Sequence, residues 1–380
     1  MIPAVASGSY PPRDGNLVRP LIGSAETFAR IAEAVDAARE KVWLTVAFYN
    51  DGFRLPDGRG LFDLLESAAA RGVDVRAVFM RPTPESASYG STHAIDAPGR
   101  PGVQRRWDRG TGRYIHHQKS WVVDDTGFVG GINLTAIALG RHDAYVEVNG
   151  PCATDVAHNF IERWNGASEP HANDDLLLPA ASVAPCGPSR VQIQRMFRGE
   201  KSILEQYLSA IDAAQRTIYI ENQAIPIPAV AEALRRALER GVEIVLLVPA
   251  IPEQGMYAAR RNPAHRALFE GVGALGRYPA FRLAGIGVYV HAKLMIVDDA
   301  WATIGSCNLH SNSLGGHSEM NASIWDAAAA RDLRCDLFRR HLGQDTAALD
   351  GLEALRLYRK IADEKREGQA FTLVPEAYAT

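Results

Sequence analysis

Apolar positions in this chain follow two periods in turn. Between Ile31 and Arg39 they recur at helical spacing, and the run Val42-Trp43-Leu44-Thr45-Val46-Ala47-Phe48 that follows is apolar and β-branched, as a buried strand should be. A second helix is predicted from Leu61 to Arg71 and a second strand from Val73 to Phe79. The order then repeats. Ile203, Leu204, Tyr207, Leu208 and Ile211 mark a helical face, Thr217 to Ile220 a strand, Val230 to Arg240 a helix and Val242 to Val248 a strand. Both second helices end in Arg-Gly, where glycine suits a left-handed cap. Strand, helix and strand joined by a short turn form a βαβ unit. The predicted fold class is therefore α/β: two similar lobes, each a mixed, mostly parallel β-sheet flanked by helices and buried against the other. The loop from Ala167 to Ser189, rich in Pro, Ala, Asn and Asp, divides an N-terminal lobe, residues 1–180, from a C-terminal lobe, residues 186–380.

The length of 380 residues agrees with two domains. An apolar fraction of 47% with 22% charged residues is that of a globular chain and excludes disordered or collagen-like readings. The most apolar stretch, Ile244 to Ile251, is interrupted by Pro249 and falls far short of the ~20 residues of a membrane span. Met1 to Asp14 lacks the basic and apolar regions of a secretory signal, so the expectation is a cytoplasmic protein, peripheral to the membrane at most. A net charge of −3 gives no global reason to bind nucleic acid. The four cysteines form no CxxC pair and read as reduced thiols. Of 41 basic residues only Lys41, Lys119, Lys201, Lys293, Lys360 and Lys365 are lysines. Arginine is thus the default cation, and a retained lysine marks a place where a compact ammonium matters.

Two of those lysines belong to a repeated motif. His117-Gln118-Lys119, four residues and Asp124 correspond to His291-Ala292-Lys293, four residues and Asp298, each member 174 positions after its counterpart. Gly130-Gly131-Ile132-Asn133 and Gly305-Ser306-Cys307-Asn308 follow. On a strand His117 and Lys119 face one way, as do His291 and Lys293. Buried cations side by side need an anionic ligand or a carboxylate. By the same parity Asp124 and Asp298 face away from their histidines, so a turn role stands beside a catalytic one. The first copy is one residue shorter before its glycine pair, so Asp125-Thr126-Gly127 is expected to turn tightly on Gly127. Asn133 and Asn308 are then expected to aim amides at a bound phosphate.

Two imidazoles, two ammonium groups and two amides around one cavity suit displacement at phosphorus. One histidine attacks, giving a phosphohistidine, and the other protonates the leaving alcohol. Lysines neutralise phosphate oxygens as charge builds. Neither a metal nor another cofactor is required, since ammonium groups beside the site oppose a dication.

The duplicated HxKxxxxD motif, each copy followed by a glycine pair or Gly-Ser and an Asn, resembles the phospholipase D superfamily. His116-His117-Gln118-Lys119, Gly130 to Leu134, His142-Asp143, Gly150-Pro151, Arg163-Trp164-Asn165 and Tyr219-Ile220-Glu221-Asn222-Gln223 are similar to segments of phospholipases D and cardiolipin-synthase-like proteins. The resemblance implies a pseudo-twofold interface between the motifs, with His117 as nucleophile, His291 as general acid, and Asp143 and Glu319 as the acids that orient the histidines. Gly131 departs from the serine that the pattern often carries. Glu221, Asn222 and Gln223 are candidates for the site edge, while His116 reads as a packing or rim residue rather than a second base, and His142, His310 and His317 read as loop residues.

Arg105, Arg106, Arg109 and Arg113 precede the first motif, and Arg260, Arg261 and Arg266 the second, interleaved with Trp107, Tyr114 and Tyr257. They are candidates for gripping anionic head groups at a bilayer surface or a nucleic-acid backbone. The function expected is phosphodiester cleavage or phosphatidyl transfer on phospholipids, with nucleic-acid hydrolysis by the same chemistry as the alternative. One chain carries both motifs, so a monomer suffices for a complete site.

Overall fold

The computed structural model describes residues 1–81, 100–108, 115–167, 175–223, 227–251 and 266–375. The first half runs β1 (Arg13–Ile22), α1 (Ser24–Ala37), β2 (Lys41–Val46), α2 (Leu61–Ala70), β3 (Asp74–Met80), β4 (Val103–Asp108), β5 (Ser120–Val123), β6 (Thr126–Gly130), β7 (Ala144–Asn149) and α3 (Pro151–Asn165). The second runs β8 (Ser189–Phe197), β9 (Glu200–Lys201), α4 (Ser202–Ala213), β10 (Thr217–Asn222), α5 (Pro228–Glu239), β11 (Glu243–Leu247), α6 (Arg266–Leu275), β12 (Phe281–Gly285), β13 (Lys293–Val297), β14 (Trp301–Gly305), α7 (Ser311–Gly315), β15 (Glu319–Trp325), α8 (Ala327–Leu342), α9 (Gly351–Glu364) and β16 (Phe371–Thr372). Gly72 and Gly241, the residues after the second helices, have φ of 89° and 86°, so the Arg-Gly ends are left-handed caps as expected.

Hydrogen bonding links the strands in the order β16-β12-β11-β10-β13-β14-β15-β8-β1-β7-β6-β5-β2-β3-β4. From the central pair β8-β1 outward, the two halves repeat the same sequence of strand types. The sheet is mixed, but its parallel share is smaller than expected. Among the strands of the described residues, β2-β3-β4 and β10-β11-β12, joined through crossovers, run parallel. The motif strands are hairpins, so the rest is antiparallel. The sheet also folds back on itself, so that β6 and β7 lie against β14 and β15. One hydrophobic core accordingly contains Val122, Val129 and Val146 beside Leu294, Ile304 and Met320.

The halves interlock beyond that seam. Ile2 is buried in the core of the second half with Ile203, Tyr207 and Ile218, its carbonyl accepts the Trp325 indole N–H at 2.7 Å, and Gln192 donates to the carbonyls of Val5 and Tyr10. The stretch before β1 thus packs with the second half rather than with the lobe that follows it in sequence.

The one-residue difference between the motif hairpins is absorbed at their tips. In the first, Val123 pairs with Thr126 across the two-residue turn Asp124-Asp125, and Asp124 takes a φ of 48°. In the second, Val297 pairs with Trp301 across three residues, with Asp298 and Asp299 at 55° and 49°. Gly127 is therefore not the turn residue. It lies in β6 opposite Val122, where an added Cβ would come within 3.0 Å of Val156 on α3. Because the turns differ by one residue, the facing of both strands is preserved, and Gly130 and Gly305 end β6 and β14 alike.

Candidate active site

The strand ends that carry the two His–Lys pairs meet at the seam between the halves, and the halves exchange partners there. Nδ1 of His117 lies 2.9 Å from both carboxylate oxygens of Glu319. Nδ1 of His291 lies 2.5 Å from Asp143. Each imidazole is oriented by an acid from the opposite half, which leaves Nε2 as the reactive nitrogen of both rings. Matching backbone bonds fasten each junction: the His117 N–H donates to the Ser318 carbonyl at 3.0 Å and the His291 N–H to the His142 carbonyl at 2.7 Å. Lys119 folds back to donate to the carbonyl of His117 at 2.7 Å, and Lys293 does the same to His291. All of these side chains are buried. Phe48 walls the first pair, 5.8 Å from the His117 ring and 5.9 Å from the Lys119 ammonium.

Asn133 and Asn308 are buried at matching positions after β6 and β14, and the amide oxygen of each is without a partner among the described residues. Such a pair of amide heads is suited to a ligand. The catalytic role expected of Asp124 and Asp298 does not match their placement. Both stand at the far ends of β5 and β13 from the histidines. Asp124 accepts the backbone N–H groups of Arg39, Glu40 and Lys41, and Asp298 those of Gln215, Arg216 and Thr217. Each carboxylate closes the turn between a helix and the next strand, which is a positioning task.

Glu221 is not an edge residue either. It is fully buried, 2.6 Å from Nε2 of His142, and accepts the Tyr219 hydroxyl at 2.8 Å. Tyr219 also meets Nδ1 of His341 at 3.1 Å. Asn222 accepts the Leu309 N–H at 3.2 Å and so braces the strand exit that carries Asn308. Gln223 is half-buried at the end of β10.

A family model described as "Cardiolipin synthase, PLD-like domain" matches residues 31–164 and again residues 207–341, one match on each half. The chain belongs to that phospholipase D-like family. It is 29% identical over 345 residues to a cardiolipin synthase A of Pseudomonas putida (strain GB-1), covering 83% of this chain and 66% of the relative. With the protein of that name from strain W619 it shares 31% identity over 336 residues, 80% of this chain and 64% of the relative. The chain thus spans just under two thirds of the length of these relatives. Its fold is similar to that of a phosphatidylserine synthase from Haemophilus influenzae Rd KW20, with a TM-score of 0.62 and 15% identity over 94% of this chain and 96% of that one.

Within this phospholipase D-like pair the electrostatics are those of a site built for an anion. Burial, and then the two lysines, push His117 well below the usual histidine range; burial and Lys293 do the same to His291. Burial lowers Lys119 to about 7. Burial raises Glu319, and it raises Asp143 to about 6. A bound phosphate group would reverse the repulsion between the cations. The family's frequent serine is present in the second half, where Ser306 donates to Glu319 at 2.6 Å. At Gly131 a Cβ would approach Asp143 to 2.3 Å, so glycine is dictated by the close carboxylate.

Several residues near the site escaped sequence reasoning. The His317 ring lies tilted 5.8 Å from that of His117 and accepts the Ile115 N–H, and His310 caps α7; both are loop residues as expected, with His317 beside the site. Burial would lower His142, but its pairing with Glu221 outweighs that and raises it, so the chain neighbour of Asp143 is a buried imidazole whose protonated form is favoured by the Glu221 carboxylate. Among the described residues His142, Glu221 and His341 form the one group able to hold a metal ion, yet their facing atoms are already engaged with each other and with Tyr219. Of the basic clusters, Arg106 is buried over the Trp164 ring and donates to the Trp164 carbonyl, so it does not line a substrate pocket. Arg105 and Trp107 lie on β4, Trp107 buried. Arg109, Arg113, Tyr114, Tyr257, Arg260 and Arg261, and the side chain of Arg266, lie outside the described residues. No helix among the described residues is long and apolar enough to cross a membrane.

Proposed function

We propose that this chain is a phosphatidyltransferase acting on phospholipids at a bilayer surface, through a covalent phosphohistidine. The exchange of orienting acids between the halves carries the reading, because it prepares two imidazoles for opposite tasks in one site. Nε2 of His117, with Nδ1–H held by Glu319, attacks phosphorus while the bond to the head-group alcohol breaks and Nε2–H of His291 protonates that alcohol. His291 then takes a proton from an incoming alcohol or water, whose oxygen displaces His117. Asp143, raised to about 6 and 2.5 Å from His291, favours a proton held between the two, which supports His291 as the acid. Lys119, Lys293, Asn133 and Asn308 bind the non-bridging oxygens. The match to the family model and the cardiolipin synthase A relatives support a phospholipid substrate. Neither step requires a metal, and the two motifs in one chain let a monomer act.

The test is mass spectrometry of products from phospholipid vesicles with and without glycerol. Transfer products or phosphatidic acid are expected, absent in His117→Ala and His291→Ala, with a phosphatidyl adduct trapped on His117 of the wild type. Cleavage of oligonucleotides with none of phospholipid would overturn the reading in favour of a nuclease.

A further inference from the structure

A cavity of about 310 Å³ lies beside the same junction and is lined by His116 and Ser318, the immediate neighbours of the paired His117 and Glu319. Side chains alternate along extended backbone. Residues 116 and 318 therefore turn away from the imidazole–carboxylate pair, towards Arg163 on α3. His116 and Ser318 bridge as adjacent extended segments, so the cavity and the candidate active site are opposite faces of one clasp.

The lining includes the carboxylates of Asp108 and Glu200, which are taken up by Arg163 and Arg195, while three buried side chains there carry donors short of acceptors. Arg163 is buried; its Nη2 serves Asp108 and Nδ1 of His116, while Nε and Nη1 have no partner among the described residues. Because Nδ1 of His116 accepts from Arg163, the ring proton sits on Nε2, which is also buried without a partner. Burial, then the Arg163 charge, lowers His116 to about 4, so the ring stays a neutral donor. The Ser318 hydroxyl is the third such group. Buried donors left this way lose their water for no return, and three side chains sharing the condition in one cavity call for a ligand rich in acceptor oxygens. Arg198 and Lys201, both exposed, stand at the mouth. The arrangement is not a by-product of the internal repeat. The corresponding bridge in the other half joins Val290 to His142, which offers no imidazole at the first position and a histidine already paired at the second.

We propose that this cavity is a second, non-catalytic phosphate site, in which Arg163, His116 and Ser318 bind the phosphate group of a small organic phosphate or of a lipid head group. The volume exceeds what inorganic phosphate fills, leaving room for the body that carries it.

Calorimetric titration of the intact chain with inorganic phosphate and with glycerol 3-phosphate tests this. Two sites are expected in the wild type. Lys293→Met should remove the catalytic one alone, and Arg163→Gln should weaken the other roughly tenfold or more. Should Arg163→Gln fail to fold, Ser318→Ala and Arg198→Ala carry the test, each weakening the second site roughly two- to tenfold. Binding of the Lys293→Met protein to phosphatidylcholine vesicles only when they contain phosphatidic acid, and only with Arg163 intact, assigns the phosphate to lipid. Binding of soluble phosphates alone, with the same dependence on Arg163, assigns it to a free metabolite. A single site in the wild type that disappears in Lys293→Met, or a second site indifferent to Arg163 and Ser318, would overturn the proposal.

Discussion

Asp143 and His291, 148 residues apart in the chain, meet at 2.5 Å across the seam between the two halves, and Glu319 reaches back to His117 in the same way. Neither half holds a complete imidazole–carboxylate pair. The seam is thus a part of the site, and whatever disturbs it should disturb chemistry before it disturbs either core.

Asp143→Asn and Glu319→Gln keep volume and remove the charge that fixes the imidazole tautomer. Each is expected to lower kcat on the order of 10²- to 10⁴-fold with an unfolding transition close to that of the wild type. In the double variant Asp143→Asn with His291→Ala, the losses should be far less than additive, since both act on one imidazole. Full additivity in steady-state kinetics would separate Asp143 from His291.

Lys119→Arg and Lys293→Arg test the retention of lysine in an arginine-rich chain. Each ammonium is buried and folds back on the carbonyl of its own histidine, a geometry that a planar fork with five donors cannot copy. Folded protein with activity reduced about 10²- to 10³-fold is expected. Near-wild-type turnover in either variant would show that any cation serves there.

Asp124→Ala and Asp298→Ala should separate stability from chemistry. Each carboxylate accepts three backbone N–H groups at a helix-to-strand turn, so each loss should cost about 0.5–2 kcal/mol of stability, as for a lost cap. Turnover per folded molecule should stay within a few-fold of the wild type. A collapse of kcat without a change in the unfolding midpoint would return these aspartates to the catalytic group.

The repeat made much of this legible in advance. Matched spacing singled out His117, Lys119, His291 and Lys293, and the structure brings them close together, although His117, Lys119 and His291 precede β5 and β13 rather than lie on them. The Arg-Gly helix ends were equally readable, because a left-handed cap is a local demand on one residue. What sequence could not show was long-range. The partner exchange of Asp143 and Glu319 depends on how two sheets fold against each other, and the antiparallel majority of the sheet on where the hairpins insert. Gly127 was misread because a glycine needed for the close approach of α3 looks in sequence like a turn glycine. His142 and Glu221 find each other only across the seam, although the polar end of an apolar strand, Glu221-Asn222-Gln223, was a signal that something buried needed an acid.

Lys119 gives the electrostatic argument a stability consequence. Burial lowers it to about 7 in the folded protein, against ~10.4 in an unfolded chain. Between those values the unfolded state binds more protons, so stability contributed through this group rises with pH across that window. Below about pH 7 the lysine is charged in both states and its full desolvation cost is present; above about pH 10 it is neutral in both and the cost is gone. Lys119→Met is expected to be inactive. Its stability relative to the wild type should be most favourable near or below pH 7 and decline as pH rises towards 10, measured by denaturant unfolding in buffers of constant ionic strength and free of phosphate. Saturating phosphate should flatten the difference by supplying the missing anion to the wild type alone. A difference independent of pH would mean that Lys119 keeps its ordinary proton affinity, and that the buried ammonium is neutralised within the protein rather than held ready for a substrate.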